Sequence, residues 1–371
     1  MLSRTDRSLI ANWWWTIDRW SLAAISSLIV AGVLLTLAAS PAVAGRIGVE
    51  PLYFVYKQLS FVAPALLAIV VVSFATPRDV RRLALVVYVL ALLLMVAALF
   101  VGPEIKGAHR WLHFGPFSVQ PSEFAKPAFV VLAAAALAES NRTPGFPGAL
   151  IAGFVYAAFA GLLVLQPDIG QTMLATIVII AMFFLAGLQW QWLALFGAAG
   201  AGGGVGAYLF VPHVASRIDR FWTAEGDTFQ VNTSLNAFTQ GGFGGVGPGE
   251  GTLKFVLPDA HSDFIFAVAG EEFGLAVCTV LIVLFGVIVV RALRHALEER
   301  DHFVQLAAAG LATMFGLQAA INIAVTLSLI PAKGMTLPFV SYGGSSTLAL
   351  ALTVGMLLAL TRRRTAAQRG W

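Results

Sequence analysis

The chain is poor in what soluble proteins are built from. Charged residues make up 11% of its 371 residues, where soluble domains run near a quarter. It has one cysteine, Cys278, inside an apolar run, which excludes a disulfide framework and a thiolate metal site. No GxxxxGK[ST] is present, so ATP-driven transport has no motif to rest on. Its formal GxGxxG, Gly242 to Gly247, is followed at once by Pro248 and belongs to no βαβ unit, so it is read as a flexible loop with close backbone contacts and not as a dinucleotide site. No 20–50-residue repeat is visible, and no segment between the apolar runs is large enough to fold alone. No cleavable signal peptide is expected. The first 20 residues carry Arg4, Arg7, Arg19 and four tryptophans, which suits an interfacial segment.

What the chain has is apolar sequence: 58% hydrophobic residues, a mean hydropathy of +0.84, and repeated runs near the 20 residues that cross a hydrocarbon core. The fold class that follows is an all-α polytopic membrane protein. Ten spans are expected at about 21–40, 54–75, 83–101, 122–139, 148–165, 169–187, 190–210, 263–290, 303–330 and 343–361. With the N-terminus cytoplasmic, the inside segments hold 14 Lys and Arg and the outside loops 7, so both termini are placed in the cytoplasm. The expected organisation is an N-terminal segment (1–20), a membrane domain (21–361) and a basic tail (362–371). The long loops then face outward, above all 211–262 between the seventh and eighth spans, ordered by docking on the bundle.

Charges inside such a chain are costly and mark function by default. Asp263, Glu271 and Glu272 lie in "HSDFIFAVAGEEFG". On one continuous helix Glu271 would sit roughly 80° around from Asp263 and about 12 Å deeper, with Glu272 nearly opposite. Asp263 would then stand at the outer rim, as a base or as a helix N-cap, while the two glutamates would make interhelical pairs. Glu123 and Lys126 share a helix face and can pair, either for structure alone or as an anion-binding wall with Arg110. Asp168, in "LQPDIGQT", caps the next helix or joins the site. Gln318, Asn322 and Thr326 form one polar stripe, for interhelical hydrogen bonds or for a wet groove. The segment "PAKGMTLPFVSYGGSS" (331–346), with Lys333, Ser341 and Tyr342, implies non-helical backbone at membrane depth, which must line a cavity or be buried in protein.

Taken in order, "GAHRW", "QPSEFAK", "QPDIGQT", "LPDAHSDFIFAVAGEEFG" and "KGMTLPFVSYGGSS" resemble the SEDS family (shape, elongation, division and sporulation) across about residues 20–361. The last motif is more similar to the division-associated FtsW branch than to the elongation-associated RodA branch. The resemblance implies a peptidoglycan glycosyltransferase that polymerises lipid II on the outer face of the bacterial plasma membrane. It places the catalytic aspartate at Asp263, where Ser262 stands in place of the family's usual threonine.

Such a reaction needs a base for the acceptor hydroxyl, and cations for the departing pyrophosphate. The candidate cations are Arg110, Lys126 and Lys333, then Arg217 and Arg220. Glu123, Asp168, Glu271, Gln318, Asn322, Ser341 and Tyr342 would line or support the cavity. A divalent cation (Mg2+ or Mn2+) could share the charge-stabilising role, although no ligand cluster announces one. The expected partners are a class B penicillin-binding protein, other divisome proteins and the membrane; nothing calls for nucleic acid. A lipid II flippase and a recruiting scaffold are the rival classes. Against the flippase, polar residues gather at the outer rim and no inverted repeat with broken helices is apparent.

Overall fold

The computed structural model describes residues 8–105, 107–115, 117–188, 190–210, 215, 219, 229–331 and 334–363. Lys333, Arg217 and Arg220 lie outside the described residues, as does the tail from residue 364 onward.

The described chain is mostly helical. A short helix α1 (Leu9–Thr16) is followed by α2 (Arg19–Ile47), α3 (Tyr53–Ser73) and α4 (Pro77–Val101). A two-stranded antiparallel hairpin, β1 (Leu112–Phe114) with β2 (Phe117–Val119), pairs His113 with Ser118. Then come α5 (Pro121–Arg142), α6 (Gly148–Leu165), α7 (Ile169–Leu185), α8 (Trp190–Phe210) and α9 (Phe229–Gly241). The last three are α10 (Ile265–Glu298), α11 (His302–Thr326) and α12 (Gly344–Leu360). Among the described residues seven helices are long and apolar enough to cross a membrane, and α7 and α12 are shorter apolar helices of 17 residues each.

Helix ends follow local chemistry. Thr76 and Asp79 close a reciprocal capping box before α4, with Pro77 at the first helical position. The Asp301 carboxylate accepts from Phe303 N–H and Val304 N–H at the start of α11. Two helices sit at the centre. In α5, 83% of the apolar stretch is buried, and in α11 67%, against 28% in α3, α4, α6 and α10. Both are rich in alanine, and small residues let helix backbones approach where no water drives association.

Two expectations need correction. The predicted span 263–290 is not one continuous helix: α10 is interrupted at Gly274, with φ 74° and ψ −177°, and then runs on to Glu298. A lone glycine inside an apolar run leaves hydropathy unchanged, so the break has no hydropathic signature. The glycine-rich segment after α9 fills the gap. Val246 and Gly247 N–H donate to the carbonyls of Glu271 and Glu272, while Leu275 and Ala276 N–H donate to those of Gly242 and Phe243. Groups orphaned by the break are thus satisfied by the loop, as burial requires. The segment makes the expected close backbone contacts, but it is pinned in place and not flexible.

Alanine at 274 would have to hold a left-handed φ, and its Cβ would come within 2.3 Å of the Phe243 carbonyl oxygen. Gly274→Ala should therefore cost on the order of 1–3 kcal/mol. Thermal unfolding of the purified protein should show a lowered midpoint. Gly286→Ala, in open space on the same helix, should be neutral or slightly stabilising.

Candidate active site at the Asp263 end of the bundle

The turn that carries Asp263 is built around Asp259. This residue sits at φ 53°, and its carbonyl accepts from Ser262 N–H and Phe264 N–H. Aspartate tolerates that conformation better than most residues. The Arg46 guanidinium holds the turn from the end of α2, donating to the Leu257 carbonyl at 2.8 Å. Helix α10 begins only at Ile265, and its N-cap position is Phe264, with no side-chain cap bond. Asp263 is therefore not the cap of that helix. It lies half-buried, with Oδ2 facing the backbone of Gly334.

Helix α11 and the 334–342 segment grip this turn from two sides. Asn322 Nδ2 donates to the carbonyl of Asp263 (3.0 Å) and to that of Met335 (2.6 Å). The Ser341 hydroxyl donates to the Ser262 carbonyl at 2.6 Å and accepts from Leu337 N–H. Tyr342 N–H donates to the His261 carbonyl at 2.9 Å. The rings of Phe54, His261 and Tyr342 pack together, and burial pushes the Tyr342 hydroxyl's pKa up.

One turn back along α11, Gln318 Oε1 accepts from Lys126 Nζ at 3.0 Å, and its Nε2 donates to the Thr336 carbonyl. Lys126 also pairs with Glu123 at 2.9 Å, as the spacing suggests, and Gln171 Nε2 donates to the same glutamate oxygen at 2.8 Å. All four side chains are buried, and Glu123 Oε2 and Gln171 Oε1 have no partner among the described residues. The polar stripe of α11 is thus buried and hydrogen-bonded, joining the Glu123–Lys126 pair to the Asp263 turn. Asn322 Oδ1 has no partner among the described residues.

Arg110 is turned onto the neighbouring loop. Its guanidinium donates to the carbonyls of Gln166 and Pro167 and lies 3.6 Å from Asp168. Asp168 caps α7 through Gln171 N–H. Burial raises the pKa of its carboxyl, against the opposing pull of Arg110. Arg110 keeps 30% of its side chain exposed, whereas Lys126 is enclosed.

The adjacent glutamates answer to a different partner from the one expected. Glu271 accepts from the backbone N–H groups of Thr252, Leu253 and Lys254 at 2.6–3.2 Å. Glu272 pairs with Lys254 Nζ and accepts from Gly249 N–H. Both carboxylates therefore hold the 249–254 segment, and neither makes an interhelical pair. They face one segment because the chain of 249–254 wraps the short helical piece before Gly274. Gln171 and Lys254 were not singled out from sequence. Gln171 sits in the quoted "QPDIGQT", three residues after the capping aspartate, which was a usable signal; Lys254 offered none.

The chain as a whole is similar to known proteins. A family profile of cell cycle proteins, FtsW/RodA/SpoVE, matches residues 19–366. The "Probable peptidoglycan glycosyltransferase FtsW" of Caulobacter vibrioides is 46% identical over 364 residues, 98% of this chain and 93% of that protein. The chain belongs to the SEDS family. "Stage V sporulation protein E" of Bacillus subtilis is 35% identical over 348 residues, covering 90% of this chain and 94% of its own. Among solved SEDS structures, one described as "Structural coordination of polymerization and crosslinking by a peptidoglycan synthase complex" superposes with a TM-score of 0.78 at 28% identity, covering 93% of this chain and 97% of that one. The Rod shape determining protein RodA of Thermus thermophilus gives 0.69 at 26% identity, covering 94% and 97%.

His261 gives this SEDS site a pH signature. Burial lowers its pKa from 6.5 to about 4, with Asp259 pulling the other way and Arg46 adding to the fall. The unfolded chain thus binds a proton between these values that the folded chain refuses, so stability rises with pH across that window and is lost as pH falls through it. The melting temperature should fall between about pH 6.5 and pH 4, and His261→Gln should flatten that slope. An unchanged slope in the variant would assign the acid sensitivity to other groups.

Proposed function

We propose that this protein is a peptidoglycan glycosyltransferase of the division-associated branch, polymerising lipid II at the outer face of the plasma membrane. The observation that carries the reading is the grip on the Asp263 turn. The turn that carries the half-buried Asp263 carboxylate is held at one end of the bundle through the backbone carbonyls of Asp263, Ser262 and His261, to which Asn322, Ser341 and Tyr342 donate, and Gln318 of the same helix reaches the buried Glu123–Lys126 pair. Such a fixed carboxylate suits a general base, which must stand within hydrogen-bond reach of the hydroxyl it deprotonates.

Asp263 takes the proton from the acceptor sugar's 4-hydroxyl. The resulting oxygen attacks the anomeric carbon of the lipid-linked donor, forming the glycosidic bond as the bond to the polyprenyl pyrophosphate breaks. The configuration inverts and no covalent enzyme intermediate is needed. Negative charge grows on the pyrophosphate, where positioned cations stabilise it. Arg110, partly exposed, can turn toward that charge, with Arg217 and Arg220 in the 211–262 loop and Lys333 in the 331–346 segment as further cations. Lys126 acts through its field, since Glu123 and Gln318 hold its ammonium. Among the described residues no group of three or more His, Cys, Asp and Glu could hold a metal ion.

The orientation with ten spans and cytoplasmic termini fits this placement. Ion pairs Asp18–Arg291 and Arg142–Asp301 join helix ends at the pole opposite Asp263, with the Arg362 guanidinium bound to Thr16 and Ser73 there. That pole holds the arginine-rich segments expected inside. A class B penicillin-binding protein at the division septum is the partner this reading implies. A flippase is the second reading, and the break at Gly274 is what favours it; yet that break is filled by the chain's own loop, which bonds the backbone groups on either side of it.

Polymerisation of labelled lipid II by the purified protein with its transpeptidase partner tests the proposal. Asp263→Asn should fold, bind the partner and lose about 100-fold or more of the rate. Glycan ladders of equal yield from both would remove Asp263 as base, and lipid II translocation by the same variant would favour the flippase.

A further inference from the structure

The outer turn 339–344 rests on two helices whose facing polar groups have no partner among the described residues. Helix α2 touches the turn at Gly32, where an added Cβ would lie 2.1 Å from the Phe339 carbonyl oxygen and 2.9 Å from the Val340 Cα. Thr36 is one turn further along the same face, fully buried, and its hydroxyl is unpartnered. Other helical threonines here hand that hydroxyl to the carbonyl four residues back, as Thr172, Thr176 and Thr353 do at 2.7–2.8 Å. Thr36 makes no such bond.

Helix α3 meets the turn through Phe54, whose ring is 5.2 Å from that of Tyr342, and through Phe61, whose ring would lie 2.5 Å from a Cβ at Gly344. Gln58 lies between them on one helix face. It is 0% exposed, and both its amide nitrogen and its amide oxygen are unpartnered. A buried amide with neither atom satisfied carries its full desolvation penalty. Water relieves it where several polar groups converge, and here an amide donor, an amide acceptor and a hydroxyl flank one turn.

We infer that Thr36 and Gln58 bound an internal hydration site beneath the 339–344 turn, and that water bound there fixes this turn. Ser341 and Tyr342 in turn hold Ser262 and His261, so Gln58 is a positioning residue for Asp263; this last step rests on Asp263 being the base. The site is distinct from the Glu123–Lys126 pair, which packs on α11 and α7.

The test compares Gln58→Met, Thr36→Val and the double variant in the full-length protein with its partner. Shared water predicts that each single variant lowers the melting temperature, and that the double variant falls no further than the worse single, because one bound water is lost once. A rise in melting temperature for either single variant, or additive losses in the double, overturns the hydration site. Thr36→Ser keeps the hydroxyl and should stay close to the parent; with Thr36→Val it carries the test if Gln58→Met does not fold. A high-resolution cryo-EM map should show solvent density within hydrogen-bond distance of the Gln58 amide, and its absence there contradicts the inference. For positioning, Gln58→Met should lower kcat about tenfold with KM unchanged. A changed KM or an unchanged kcat rejects the positioning role. If Asp263→Asn keeps its activity, the base assignment fails while the thermal and map results still decide the water.

Discussion

The amide of Asn322 holds the Asp263 end of this protein together. It binds the Asp263 carbonyl and the Met335 carbonyl at once, so two irregular segments share one donor. Irregular backbone in an apolar setting survives only when its polar groups are met from within. Gln318, one turn away, extends the same grip to Lys126 and Thr336. The outer turns, the ion pair of α5 and the aspartate thus take their positions from one face of α11. That helix can serve as a spine because it is central and itself largely buried.

A second constraint comes from the break at Gly274. Interrupting a membrane helix exposes carbonyls and N–H groups, and the glycine-rich segment pairs with them through backbone hydrogen bonds. Glu271 and Glu272 complete the repair by gathering the 249–254 chain, with Lys254 balancing one of the two charges. The paired glutamates are therefore fasteners for the outer loop. Their burial is tolerated because each oxygen is met by backbone N–H or ammonium. The loop so held leads directly into the Asp263 turn, which links the fastening to the site.

Much of the helical plan was legible in the sequence, because crossing a membrane demands runs of apolar residues that little else explains. The Glu123–Lys126 pair was legible for the same reason: two opposite charges three residues apart in such a run have to meet. The partners of Glu271 and Glu272 were not, since they are backbone groups some 20 residues earlier brought near only by folding. Nor was the break, because one glycine among apolar residues carries no periodic signal. Helix α9, polar enough to pass for loop, was missed; it packs on α10 through Phe238 and Phe266, with ring centroids 5.7 Å apart. The stripe of α11 was visible as a stripe, but whether it met water or protein depended on the 334–337 segment, whose course no local pattern specifies.

The central claim is that Asp263 is held where an acceptor hydroxyl arrives. A structure of the Asp263→Asn protein with lipid II and its partner would measure this directly. The account predicts that the acceptor's 4-hydroxyl lies within about 3.2 Å of the residue 263 side chain, or one water away. A bound acceptor with that hydroxyl well beyond such reach, facing another carboxylate, would contradict it.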